Sequence, residues 1–185
     1  MPSYPIQIKG LYIAPEHRFY NHEEPNWGDE KLMTVQTIEI VENEGIRGDR
    51  FFGKGEDFVG HVTFFAWEVF QTLLMDGIGQ EKTTPVHAGL FRRNIVVEGI
   101  DLRALIGQAF EIGGIAFEGT KHCAPCRYME HSFGTGALAA LKGRGGLRAR
   151  AKGSGTLQLG AATLETEIEY NPLEAAEPIP APPLT

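Results

Sequence analysis

A mostly β, barrel-like fold with short peripheral helices is predicted by three features of the sequence. Short segments rich in β-branched and apolar residues recur along it, 23 glycines punctuate them, and few long helical patterns intervene. Residues 6–13 and 33–41 read as the first strands, separated by a polar loop over residues 15–30 that holds His17, His22 and Trp27. Gly45-Ile-Arg-Gly48-Asp-Arg50 follows, with two glycines that permit a tight turn or a close ligand approach. Residues 61–65 read as a strand running into a helix over residues 66–75, ended by Gly77. Phe64-Phe65-Ala66-Trp67 in this stretch is expected to be core. Residues 94–98 form another apolar burst before the Gly99-Ile-Asp-Leu102 turn and a short helical piece ending near Gly107. Residues 110–112 and 115–118 flank Gly113-Gly114, the strongest hairpin signal in the chain. A short alanine-rich helix over residues 136–141 and a glycine turn over residues 142–146 then precede strands at residues 147–151 and 162–168. Residues 1–170 are thus expected to form one domain; residues 171–185, with five prolines, are expected to be an extended or disordered tail.

The chain has 185 residues, 42% of them hydrophobic, which suits one substantial core. Its formal charge of −7 argues against nonspecific nucleic-acid binding, which draws on dense positive charge, yet leaves room for a local cationic pocket. No apolar run approaches the roughly 20 residues needed to span a bilayer, and the first residues lack the pattern of a secretory signal. A cytoplasmic protein with no membrane partner is the expectation. The two cysteines, three positions apart, make no disulfide framework and are expected to be reduced.

Those cysteines carry the sharpest chemical signal. Cys123-Ala-Pro-Cys126 follows a predicted strand and is flanked by His122, Arg127 and His131. A structural zinc site would need four nitrogen or sulfur ligands, and the chain has no second cysteine pair. A thioredoxin-like dithiol would need a helix start within a parallel βαβ arrangement, which the remaining sequence does not suggest. Two buried, inert thiols are a third reading. The fourth is a thiolate that ligates a soft transition metal or carries sulfur, favoured electrostatically by Arg127 and His122. The local residues permit this last reading without selecting it.

Four segments in order, Gly45-Ile-Arg-Gly-Asp49, Arg93-Asn-Ile-Val-Val-Glu-Gly-Ile-Asp-Leu102, His122-Cys-Ala-Pro-Cys126 and Gly143-Arg-Gly-Gly-Leu-Arg-Ala-Arg150, together resemble the MOSC family, the C-terminal module of molybdenum-cofactor sulfurases and its stand-alone relatives. The resemblance covers about residues 40–165. It implies a MOSC-type β-barrel and association with the molybdenum cofactor. In relatives similar to the amidoxime-reducing enzymes one cysteine ligates molybdenum, and the matching Pro-Cys position here is Cys126, with Cys123 as a second candidate. The implied activity is reduction of a small N-hydroxylated substrate, with electrons from a separate reductase. A related alternative makes Cys126 a persulfide carrier served by a sulfur donor protein, and another makes the chain a non-catalytic cofactor- or partner-binding module.

A pterin cofactor ends in phosphate, so guanidinium groups are the natural partners: Arg92, Arg93, Arg144, Arg148 and Arg150. Asn94 would serve a heterocycle edge or cap a turn, Asp49 would orient an arginine or close the Gly48 turn, and His61 would face the pocket or make an ordinary hydrogen bond. The sequence departs from many relatives at Arg50-Phe51-Phe52, where they carry a histidine after the Gly-Asp pair, and at Arg92-Arg93-Asn94, where they carry Gly-Glu-Asn. It also has neither the N-terminal β-barrel of the amidoxime reducers nor the aminotransferase-like domain of full sulfurases, so complete activity is expected to need another protein.

Overall fold

The computed structural model describes residues 1–16 and 32–180. The loop expected over residues 15–30 lies outside the described residues from position 17 onward. In chain order the elements are β1 (Ser3–Ile13), β2 (Met33–Thr34), β3 (Thr37–Val41), β4 (Gly45–Ile46), β5 (Val62–Ala66), α1 (Trp67–Met75), β6 (Ile95–Glu98), β7 (Ala109–Ile112) and β8 (Ile115–His122). There follow α2 (Tyr128–Ser132), α3 (Ala137–Ala140), β9 (Leu147–Ala151), β10 (Gly155–Gln158) and β11 (Gly160–Thr166), with 3-10 turns at Ala88–Phe91 and Pro172–Glu174.

Seven strands close a barrel in the order β1, β11, β7, β8, β9, β5, β6, with β6 returning to β1. Closure leaves those strands no unpaired edge. β10, β3 and β4 make a small separate antiparallel sheet, and β2 extends the barrel sheet beside β1. The expected strand at residues 33–41 is therefore two strands serving two sheets, broken at Val35 and Gln36. β5 and β6 pair in parallel, so the chain between them must cross over, and α1 lies on that crossover. The helical piece expected before Gly107 consists of turns. No helix among the described residues is long and apolar enough to cross a membrane.

Alternation along β5 explains the two-layered core. Phe64 meets Phe110 and Phe117 from across the barrel, with ring centroids 5.7 and 5.4 Å away, so it points inward. Phe65 points the other way and packs on Phe91 at 4.6 Å, in a cluster with Phe70 and Phe133 beneath α1. Both faces of β5 are consequently buried, as a strand between barrel interior and helix layer requires. Gly113 and Gly114 both adopt positive φ, 58° and 77°, in the tight turn of the β7–β8 hairpin, where Ile112 pairs with Ile115. Register slips in β8 between Gly119 and Lys121, where a Cβ on Gly119 would run into the Leu105 carbonyl. This bulge lies just upstream of the cysteines and re-aims the strand end.

The segment after β11 crosses back over the barrel. Arg103 grips Asp101 through Nε and Nη2, both at 2.8 Å, and reaches Glu174 at 2.9 Å and the Pro178 carbonyl at 3.2 Å. The Ile179 amide donates to the Gly143 carbonyl at 3.0 Å, and Ala175 is buried. Replacing Arg103 by alanine strands the buried Asp101 carboxylate. We expect a loss of about 2 kcal/mol in urea unfolding, from the cost of leaving a charged group without its partner; a change too small to resolve would mean that this anchor does not stabilise the fold.

Candidate functional site

At one end of the barrel a cavity of about 280 Å³ is lined by Cys123, Cys126, Arg50, Arg92, Arg93 and Arg148, with Phe51 and Tyr128 also on its walls. Each wall comes from a different part of the chain. The Gly48 turn brings Arg50, the 3-10 turn before β6 brings Arg92 and Arg93, the start of β9 brings Arg148, and the loop leaving β8 brings the thiols. Four guanidinium groups and, among the described residues, no carboxylate face this space. Cys123 is buried at 3% exposure, whereas Cys126 is half-buried, so Cys126 is the more accessible sulfur.

Two consecutive residues fix the walls. Asn94 is buried and fully engaged: Oδ1 accepts from the Thr63 amide at 3.1 Å and hydroxyl at 2.7 Å, and Nδ2 donates to the Tyr12 carbonyl and to Asp49 Oδ2 at 3.3 and 3.0 Å. Asp49 Oδ2 also accepts from the Ala14 amide at 3.1 Å and lies 3.5 Å from Arg50 Nη1, while Oδ1 accepts from the Phe51 amide. Asn94 and Asp49 thus join β1, β5 and the Gly48 turn. Arg50 lies with its guanidinium 4.5 Å from the Phe51 ring. Arg50 is the lining arginine that the motifs did not reveal, since only the geometry of the Gly48 turn shows where the side chain after Asp49 goes.

Arg93, buried at 8% exposure, turns the opposite way. Nε donates to the Gly145 carbonyl at 2.8 Å, Nη1 to Phe91 at 2.8 Å, and Nη2 to Cys123 and Ala124 at 3.1 and 3.4 Å. Arg92 adopts the left-handed conformation, φ 59° and ψ 35°, at a cost of about 1 kcal/mol for a non-glycine. Its guanidinium sits 5.3 Å from the Tyr128 ring. Arg148 is half-buried, and its guanidinium has no ion pair or hydrogen bond among the described residues. Gly60 gives it room, since a Cβ there would approach Arg148 Nη1 to 3.3 Å.

The remaining expected site residues lie elsewhere. Arg144 borders a separate small recess with His122, Arg103 and Ile179. Arg150 pairs with Glu118 at 3.1 Å and points towards the Asp57 carbonyl. His61 is fully buried away from the cavity, its Nε2 2.8 Å from the Gly55 carbonyl and its Nδ1 accepting from the Ala151 amide, which assigns the Nε2–H tautomer. No cluster of three or more histidine, cysteine or acidic side chains suited to a metal occurs among the described residues.

Gly145 is the bed of the cysteine loop. A Cβ there would run into the Cys123 carbonyl and approach Pro125 to 3.1 Å, and the Gly145 amide donates to His122 Nε2 at 3.0 Å. Burial, reinforced by the Arg93 charge, pulls His122 below the usual imidazole range. A histidine held neutral in the folded state contributes stability that is fully present above about pH 6.5 and is lost as pH falls through the lowered value. Urea unfolding at pH 7.5 and 5.5 is expected to show this loss, and His122→Gln to reduce it, with His87, which partial desolvation also pulls below the usual imidazole range, supplying what remains. An unchanged pH slope in His122→Gln would contradict the assignment. Asn94→Ala leaves the buried Thr63 amide and hydroxyl without their acceptor, at roughly 1–3 kcal/mol each, and takes one of several donors from Asp49, so we expect a loss of about 3 kcal/mol in the same assay.

Comparison with known proteins places this architecture. The chain superposes on the crystal structure of the YuaD protein from Bacillus subtilis with a TM-score of 0.66 and 17% identity, covering 90% of this chain and 99% of that one. YiiM from Escherichia coli gives a TM-score of 0.59 at 14% identity, covering 95% of this chain and 76% of that one. YiiM from Geobacillus stearothermophilus gives 0.56 at 17%, covering 86% and 75%. At such identities these likenesses speak for the fold. No curated protein sequence is significantly similar to the chain. The family model for the MOSC domain matches residues 68–163, just over half of the sequence and the part that carries the cysteine loop, the Arg92-Arg93-Asn94 segment and the glycine turn, and the chain therefore belongs to the MOSC domain family.

Proposed function

We propose that the cavity binds the molybdenum cofactor, with the Cys126 thiolate as the protein's ligand to the metal and Arg50, Arg92 and Arg148 as partners for the cofactor's phosphate. The observation that carries this reading is the conjunction of an accessible thiol with four guanidinium groups in one cavity that no carboxylate lines among the described residues, within a chain of net charge −7. Guanidinium forks match phosphate oxygens bidentately, and a thiolate suits a soft metal centre. The residues fit the group: an organic cofactor that itself supplies most of the metal's ligands needs only one sulfur from the protein, and one accessible sulfur is what the cavity offers.

Bound there, the cofactor would supply two-electron oxygen-atom chemistry. The expected reaction is reduction of a small N-hydroxylated compound, in which the N–O bond breaks, two electrons and two protons are taken up, and amine and water leave. Electrons come from a separate reductase. The protein's own part is ligation by Cys126, orientation by the arginines, and shielding by Phe51, Tyr128 and Pro125 around the sulfur. Arg148, with no competing partner among the described residues, is the guanidinium best placed to meet an incoming anion without breaking an existing bond.

The test is elemental analysis with intact-mass measurement on protein made in a host that synthesises the cofactor. Molybdenum is expected to accompany the wild-type chain, to be lost from Cys126→Ala, and to fall about tenfold in Arg148→Ala, the scale of one charge-assisted hydrogen bond. Equal molybdenum in wild type and Cys126→Ala refutes ligation. An added sulfur mass on Cys126 without metal supports the persulfide carrier in its place.

A further inference from the structure

Arg93 lines the cavity, yet its donors are already committed. A guanidinium has five N–H groups, and Arg93 directs four of them at the carbonyls of Phe91, Cys123, Ala124 and Gly145. Those carbonyls belong to three segments far apart in sequence: the 3-10 turn before β6, the loop leaving β8 and the glycine turn before β9. Four carbonyl dipoles converge on one buried group, and buried carbonyls so arranged need a partner with donors in several directions, which this guanidinium supplies.

The cysteine loop has few other ties. The Cys123 amide donates to the Gly146 carbonyl at 2.8 Å, Pro125 has no N–H to offer, and the next backbone bond is the Met129 amide to the Cys126 carbonyl at 2.9 Å. Between these points, the carbonyls of Cys123 and Ala124 are held by Arg93 alone among the described residues. Gly145, against which the Cys123 carbonyl packs, is held by the same guanidinium. We infer that Arg93 is a positioning residue: its guanidinium fixes the Cys123–Ala124 backbone against the glycine turn and so sets where Pro125 and Cys126 present the reactive sulfur, leaving ligand contact to Arg50, Arg92 and Arg148. What Cys126 meets rests on the function proposed above; how Arg93 holds the loop does not.

A flat fork with donors on three sides and a point charge behave differently here. Lysine keeps the charge but carries its three donors on a single nitrogen, which does not span three segments. Arg93→Lys and Arg93→Gln are therefore expected to behave alike. The readout is alkylation by iodoacetamide, with Cys123 and Cys126 distinguished by fragmentation of the peptide that carries both. In the wild type Cys126 takes nearly all the label, because Cys123 is buried and its backbone is tied at both ends. Both Arg93 variants are expected to raise the Cys123-to-Cys126 labelling ratio about tenfold, the effect of local opening made easier by roughly 1.4 kcal/mol. Arg144→Gln, which removes an arginine from the neighbouring recess, is expected to leave the ratio unchanged. Inorganic pyrophosphate is expected to bind Arg93→Lys within about threefold of the wild type.

If the Arg93 variants do not fold, the wild-type chain still decides. The Arg93 Nε–H, detected by nitrogen-15 NMR, is expected to exchange with solvent far more slowly than an exposed arginine, and exchange at the exposed rate would overturn the proposal. So would an unchanged labelling ratio in a folded Arg93→Lys that has lost its pyrophosphate affinity, since that pattern belongs to a ligand contact. None of these readouts uses molybdenum, so failure of the cofactor reading leaves them intact.

Discussion

Where several chain segments meet at the end of a closed barrel, their backbone groups lie too deep to be satisfied by water and outside the strand ladders that would pair them. In this chain Arg93 and Asn94 resolve that conflict from adjacent positions. Their side chains diverge as neighbours in an extended chain do. Arg93 gathers carbonyls from the cysteine loop and the glycine turn, while Asn94 gathers groups from β1, β5 and, through Asp49, the Gly48 turn. Two walls of the cavity are fixed from a single point just before β6.

This arrangement also explains the charge of the cavity. The chain as a whole is acidic, but the segments that converge here bring Arg50, Arg92, Arg93 and Arg148 and, among the described residues, no lining carboxylate. Asp49, beside Arg50 in the chain, is turned into the Asn94 network and neutralises part of that guanidinium at 3.5 Å. Arg93 is spent on carbonyls. The local field is therefore left to groups that can meet an anion, and in a partly enclosed site such fields act more strongly than on open surface. A soft nucleophilic sulfur within that field is suited to a negatively charged partner, which links the geometry to the function proposed for it.

Much of the barrel was legible in the sequence because its signals are local. The Gly113-Gly114 turn marked the β7–β8 hairpin, runs of β-branched and apolar residues marked β1, β5 and β6, and strict alternation marked β9. The division of residues 33–41 between two sheets was not legible, since it depends on β10, a strand with Gly155 and Thr156 at its start that pairs with β3 far away in sequence. Helix α2 was missed for a related reason: five residues carry too little periodicity. Among site residues, the cysteines, Arg92, Arg93 and Arg148 meet at one cavity. Arg144 and Arg150 are parted from it by the geometry of the glycine turn and by Glu118, neither of which spacing reveals. His61 and Asn94 show the ambiguity of polar residues beside strands, where backbone satisfaction and ligand contact call for the same chemistry.

The central claim is that the accessible thiol sits in a cationic field, and one rate ratio tests it directly. Iodoacetate and iodoacetamide alkylate the same thiolate and differ chiefly in charge, so their relative rates at Cys126, compared with those on a free cysteine peptide, report the field at the sulfur. The account predicts a ratio several-fold in favour of the anionic reagent that shrinks with added salt; a ratio equal to or below that of the peptide would contradict it.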